Sequence, residues 1–246
     1  MLEKKHEDLS ANTIKNLLLF IINPFLGYLF AIWNIRKNRN GIFILFSWFL
    51  LFGLSFCAVN ETVDSFRYLQ DFEIEKNYTF SKLYTIISEY FTFEGNKKDI
   101  YTTILNVVIG SFTNNYHFLF FSYAIVFGLF SILSLNYLLK YKVDDTYIFF
   151  CLLFLFYFSN PIFNINGVRF WTATWIAVYS TFKIVMDNKL RFWFILLLLP
   201  LIHGSFVLWI VFLLIAVSSW IFQKTWIVLF FLSFIFSATS YIHLLN

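Results

Sequence analysis

The chain has 246 residues, 60% of them hydrophobic and 13% charged, with a mean hydropathy of +0.73. A soluble domain carries about 25% charged residues, so this composition excludes an ordinary water-soluble globule and points to an integral membrane protein. The net charge of +4 suits basic loops flanking membrane helices and forms no basic patch for nucleic acid.

A spanning helix needs about 20 apolar residues. Seven stretches meet that need: 17–33, 41–59, 117–139, 146–165, 168–186, 192–217 and 225–244. The expected fold is an all-α integral membrane protein of about seven transmembrane helices, one polytopic domain over 1–246. The first stretch holds Pro24, which predicts a kink or tilt. The N-terminal 16 residues are too charged for a signal peptide, so the first helix reads as a signal anchor. Cys57 and Cys151 lie inside apolar runs and read as packing residues, with no disulfide framework or metal site.

Basic residues set the orientation. Arg36, Lys37 and Arg39 crowd the first loop, Lys140 and Lys142 follow the third helix, and Lys183, Lys189 and Arg191 flank the fifth-to-sixth turn. With seven spans these loops are cytoplasmic, and the N-terminal tail falls outside despite Lys4, Lys5 and Lys15. Segment 60–116 then forms a long outer loop with 8 acids against 5 bases. Within it, "DIYTTILNVVIGSF" (99–112) spaces Ile100, Ile104, Leu105, Val108 and Phe112 as a helix. Too short to span, it is predicted to be interfacial or re-entrant. Asn166-Gly167 marks a tight turn that makes the fourth and fifth stretches a hairpin.

Three places can carry chemistry. Arg169, in "NINGVRFWTATW", sits at the expected outer mouth of the fifth helix. It reads either as a headgroup anchor or as an anion binder, since guanidinium matches phosphate bidentately. Thr172, Ile176, Tyr179 and Lys183 continue its helix face, which turns that face into the bundle. His203, in "LLPLIHGSFVL", follows Pro200 and precedes Gly204 and Ser205. It is either a buried bonded histidine or a general base. In "VDSFRYLQDF" (63–72), Asp64, Arg67, Tyr68 and Asp71 share a helical face. It is either a solvated face with one ion pair or a polar lip able to hold a sugar. No phosphate loop, HExxH, GxSxG or DxD pair occurs, and no cofactor is called for.

The order "DSFRYLQDF", long outer loop, "GVRFWTATW" and "LLPLIHGSFVL" resembles the EpsG family of bacterial polysaccharide proteins, which is similar to Wzy-type O-antigen and capsule polymerases. The match covers roughly 60–210 and rests on Asp64, Tyr68, Gly167, Arg169, Ala173, His203 and Ser205. Phe170 departs from the family's polar residue after the arginine. Family members continue through further helices past the position of Asn246, so the resemblance implies a short member, a fragment or a frameshifted copy.

The resemblance implies an inner-membrane polymerase that joins undecaprenyl-diphosphate-linked repeat units. Its partners would be lipid-linked oligosaccharide, membrane lipids, and the pathway's flippase and chain-length regulator. Arg169 would stabilise the diphosphate leaving group, His203 or Asp64 would serve as base, and Arg67, Tyr68, Thr172 and Tyr179 would line the substrate site. The rival readings are a flippase-type component, an acyl-modifying enzyme using His203, and a non-catalytic assembly subunit.

Overall fold

The computed structural model of the chain describes residues 13–36, 38–58, 63–95, 97, 99–140 and 145–221, and every regular element among them is helical. The predicted seventh span, 225–244, lies outside the described residues.

Helices α3 (Gly41–Ser55) and α7 (Tyr116–Leu138) form the antiparallel centre of a bundle. The Phe49 and Phe127 rings meet at 5.8 Å, and Arg39 Nη2 donates to the Leu139 carbonyl at 3.2 Å. A Cβ on Gly53 would lie 2.4 Å from Ala124 Cβ and 2.7 Å from the Phe120 carbonyl oxygen, so glycine sets the close approach of the two helices.

Helix α8 (Thr146–Ser159), a 3-10 segment (Ile162–Gly167) and α9 (Val168–Val185) follow. Asp145 caps α8 by accepting from the Tyr147 and Ile148 amides. Asn160 Nδ2 donates to the Trp171 carbonyl at 3.1 Å, and Phe156 meets Trp175 at 4.6 Å between ring centroids. A straight helix would hold that last pair about 28 Å apart. The predicted hairpin is therefore present, with the whole 3-10 segment as its turn rather than Asn166-Gly167 alone. Two stretches, Tyr116–Leu138 and Thr146–Val185, are long and apolar enough to cross a membrane by length and composition. The second comprises both arms of this hairpin.

Two of the predicted spans reverse direction halfway. Stretch 17–33 is split between α1 (Thr13–Ile22) and α2 (Pro24–Asn34). Asn23 precedes proline and is extended, as that position favours, and its side chain caps α2 through the Leu26 amide at 3.0 Å. The helices then fold flat on each other: a Cβ on Gly27 would sit 2.4 Å from Phe20 Cα, and Lys15 Nζ lies over the Phe30 ring. Asn38 Nδ2 donates to Thr13 Oγ1 at 3.1 Å. Thr13 thus lies at the same end of the bundle as Arg36 and Arg39, where the seven-span reading expects the two at opposite ends; the tail 1–12 lies outside the described residues.

Stretch 192–217 is likewise no single span. Helices α10 (Phe192–Leu197) and α11 (Leu199–Ile202) climb antiparallel to α9, bringing Phe192 to Tyr179 and His203 to Phe170. The chain turns at His203-Gly204-Ser205. Helix α12 (Phe206–Ile221) then descends along α9, placing Phe206 against Phe170 and Trp209 Nε1 against Thr181 Oγ1. Ala216 and Val217 end beside Ile184, Val185 and Asn188.

The bundle has a basic end, with Arg36, Arg39, Lys140 and Lys183, and an opposite end covered by a cap. The cap is α4 (Asp64–Glu75), α5 (Phe80–Thr92) and α6 (Tyr101–Gly110). It reaches the hairpin turn directly: Tyr90 Oη donates to the Pro200 carbonyl at 3.3 Å and the Ile100 amide to the Leu201 carbonyl at 3.0 Å. Those carbonyls lose helical partners where α11 stops, and the cap supplies donors. The helix predicted within 99–112 is present as α6, and it buries its polar side, Thr102, Thr103 and Asn106 with Val107, because its neighbour on α4 is a carboxylate.

Candidate functional site

That carboxylate is Glu75, 2% exposed at the end of α4. It accepts from Lys97 Nζ at 2.5 Å, Thr103 Oγ1 at 3.2 Å and Asn106 Nδ2 at 2.9 Å. Burial pulls the Lys97 ammonium down, but Glu75 outweighs it and holds Lys97 above its ordinary value. One buried charge therefore ties α4, the following loop and α6 together, and fixes the position of the loop that carries Asp99.

Arg169 lies one residue into α9, directly under this loop. Its Nη1 pairs with Asp99 Oδ2 at 2.5 Å and its Nε donates to Tyr68 Oη at 3.2 Å, with the guanidinium also over the Tyr68 ring. Tyr68 and Asp99 are both nearly fully buried. Burial pushes the Asp99 carboxyl above its usual range, and Arg169 only partly offsets this. Burial likewise raises the Tyr68 hydroxyl against the pull of Arg169. Two of the five guanidinium N–H groups are used, which leaves three for an incoming anion.

The His203-Gly204-Ser205 turn completes the site. The His203 ring stands edge-on to Phe170 at 5.4 Å, one residue from Arg169. His203 Nδ1 is 2.8 Å from Ser205 Oγ and receives the Ser205 amide at 3.4 Å. In the tautomer with its proton on Nε2, Nδ1 accepts from the Ser205 hydroxyl as well as from its amide. Ser205 is exposed. The site thus offers a cation, a buried carboxylate and a hydroxyl already bonded to an imidazole base.

The sequence-selected residues separate into two groups. Tyr68, Arg169 and His203 come together. Thr172 is fully buried one turn below Arg169, beside Tyr101. Asp64 and Arg67 form an exposed pair at 3.1 Å, because α4 buries the face of Ser65, Tyr68, Phe72 and Glu75 instead of the predicted one. Among the described residues Asp64 forms no hydrogen bond or ion pair with Arg169 or His203. Tyr179 packs on Phe130 and Phe192, about 15 Å further along α9. Lys183 lies lower still, paired with Asp187 at 2.8 Å. Sequence reasoning missed Asp99, Glu75 and Lys97. The available signal was the acid excess of segment 60–116, since acids facing an apolar bundle need cationic or polar partners.

Among the described residues no group of three His, Cys, Asp or Glu side chains is arranged to hold a metal ion. Comparisons with family models, with curated proteins and with solved structures give no match.

Proposed function

We propose that the chain is a multi-pass protein of the bacterial cell membrane that extends a polysaccharide from lipid-diphosphate-linked repeat units. The observation that carries this reading is convergence. The three segments in which the resemblance lies are far apart in sequence, and Tyr68, Arg169 and His203 from each of them meet beneath the cap. Under this reading the basic end is cytoplasmic and the cap faces outward. α3, α7, α8 and α9 then cross the membrane, while α1–α2 and α10–α12 enter and return. Thr13 joins Arg36 and Arg39 on the basic side, which agrees with positive-inside placement of Lys15.

The chemistry suits a single displacement. The acceptor sugar hydroxyl attacks the anomeric carbon of the donor, and the bond from that carbon to the diphosphate oxygen breaks. Arg169 receives the leaving diphosphate through its free N–H groups. The hydroxyl proton passes to Ser205 Oγ, whose own proton moves to His203 Nδ1. Asp99 keeps the guanidinium oriented until the anion arrives. A second reading, a non-catalytic or flippase-type component of the same pathway, is favoured by one observation: Arg169 is already neutralised by Asp99.

Ser205 separates the two. Membranes carrying Ser205→Ala are expected to extend lipid-linked units, extracted from a strain lacking the gene, about 10²-fold more slowly, the lower range for loss of a proton-transfer group. Ser205→Thr retains most of the rate. Extension by Ser205→Ala at the unaltered rate sinks the proton route. Absence of extension by the unaltered protein favours the non-catalytic reading.

A further inference from the structure

Helix α5 has three faces. Leu83, Ile86 and Tyr90 point inward, and Tyr90 reaches the Pro200 carbonyl. Ser81, Thr85, Ser88 and Thr92 form an exposed arc of hydroxyls. Phe80, Tyr84, Ile87 and Phe91 form a separate apolar arc, in which Phe80 is 62% exposed, Tyr84 75% and Phe91 59%. At 3.6 residues per turn each arc spans about 60°, and the hydroxyl and aromatic arcs are centred about 100° apart. Hydroxyls and aromatics are thus segregated on the uncovered side of one short helix.

This arrangement fits neither a water-exposed helix, which would not display an aromatic stripe, nor a core helix, which would not leave it uncovered. The position of α5 names the occupant. Its C-terminal end is bonded to Pro200, and Leu197 and Leu198, just before that proline, are themselves exposed apolar residues. Exposed apolar residues therefore occur on both sides of this junction, on α5 and at the end of α10. We infer that α5 lies in the plane of the outer leaflet, its aromatic arc sunk into the headgroup–acyl boundary and its hydroxyl arc facing water. This role falls to α5 and not to α6, whose polar side is buried against Glu75. Lys82 and Glu89 lie at the far edge of the hydroxyl arc, where both stay hydrated.

The inference rests on the membrane reading above, and spin labelling distinguishes failure of either. Single cysteines are placed at Phe80, Ser81, Tyr84, Thr85, Ser88 and Phe91 in the Cys57→Ser, Cys151→Ser background. The protein is held in phosphatidylethanolamine–phosphatidylglycerol vesicles. Ile125 and Leu129, exposed on the middle of α7, serve as membrane controls. Labels at 80, 84 and 91 are expected to collide severalfold more with oxygen than with a nickel chelate, and labels at 81, 85 and 88 the reverse. Oxygen preference at the controls without alternation along α5 overturns the inference alone. Nickel preference at the controls overturns the membrane reading and this inference with it. Spin–spin broadening at 84 that vanishes on dilution with unlabelled protein assigns the arc to a second copy and also overturns it.

Discussion

Arg169→Ala is expected to abolish chain extension and also to destabilise the protein by about 3–5 kcal/mol, the cost of leaving one partner of a buried ion pair alone. Asp99 would remain buried with no cation beside it. Because burial already raises the Asp99 carboxyl, protonation relieves part of this cost and places the loss towards the lower figure. A single variant therefore confuses an anion binder with a structural pair. Arg169→Met combined with Asp99→Leu removes both charges, and such replacements are commonly neutral or stabilising. This double variant should recover the thermal stability of the parent in detergent yet still fail to extend chains. Full extension by the double variant would return Arg169 to the role of an anchor. Arg169→Lys should not rescue, because a single ammonium cannot hold Tyr68, Asp99 and a diphosphate in the planar fork the guanidinium provides.

Glu75→Ala is expected to loosen the cap. Thr103 and Asn106 are buried donors that lose their acceptor, at about 1–3 kcal/mol each. Lys97, with its side chain 43% exposed, can turn to water and adds little. Hydrogen exchange should rise across α4 and α6 while α3, α7 and α9 stay protected. Uniform exchange across all of them would show that the cap and bundle unfold as one unit. The Glu75–Lys97 pair also carries a pH sign. Lys97 is raised in the folded state, so its contribution is complete below the ordinary lysine value and fades as pH climbs through its raised one. The small part of cap stability that Lys97 supplies should therefore be lost in strongly alkaline solution, and Lys97→Met should remove that part of the pH dependence.

Hydropathy made α7 and the α8–α9 pair readable, since each is apolar over most of its length and the Asn166-Gly167 signal sits inside the real turn. The face of Arg169 was readable too, because Thr172, Ile176 and Lys183 at helical spacing are buried as expected. The reversals at Asn23-Pro24 and His203-Gly204-Ser205 were not. A hydropathy window sums residues without regard to direction, and two short apolar arms read the same as one long helix. Local chemistry did mark both places: a pre-proline asparagine in one, and a glycine-serine pair just before α12 in the other. Asp99 was invisible for a different reason. Its significance comes from Arg169, distant in sequence, and locally it is one of eight acids in segment 60–116, at the start of the predicted helix 99–112. Helix α6 was legible as a helix, but its buried polar side was not, because the partner of that side is Glu75 and burial there follows polarity rather than hydropathy.

The placement of His203 also changes its chemistry. A sequence position near the middle of 192–217 suggests mid-membrane depth, far from any sugar. The turn instead lifts it to the level of Phe170, at the capped end and within reach of the Arg169 cluster.

Glycan profiling of a bacterium from which this gene has been deleted is expected to show single repeat units accumulating on the carrier lipid, with long chains lost and restored by the intact gene. Long chains persisting unchanged in the deletion strain would contradict the proposed role in chain extension.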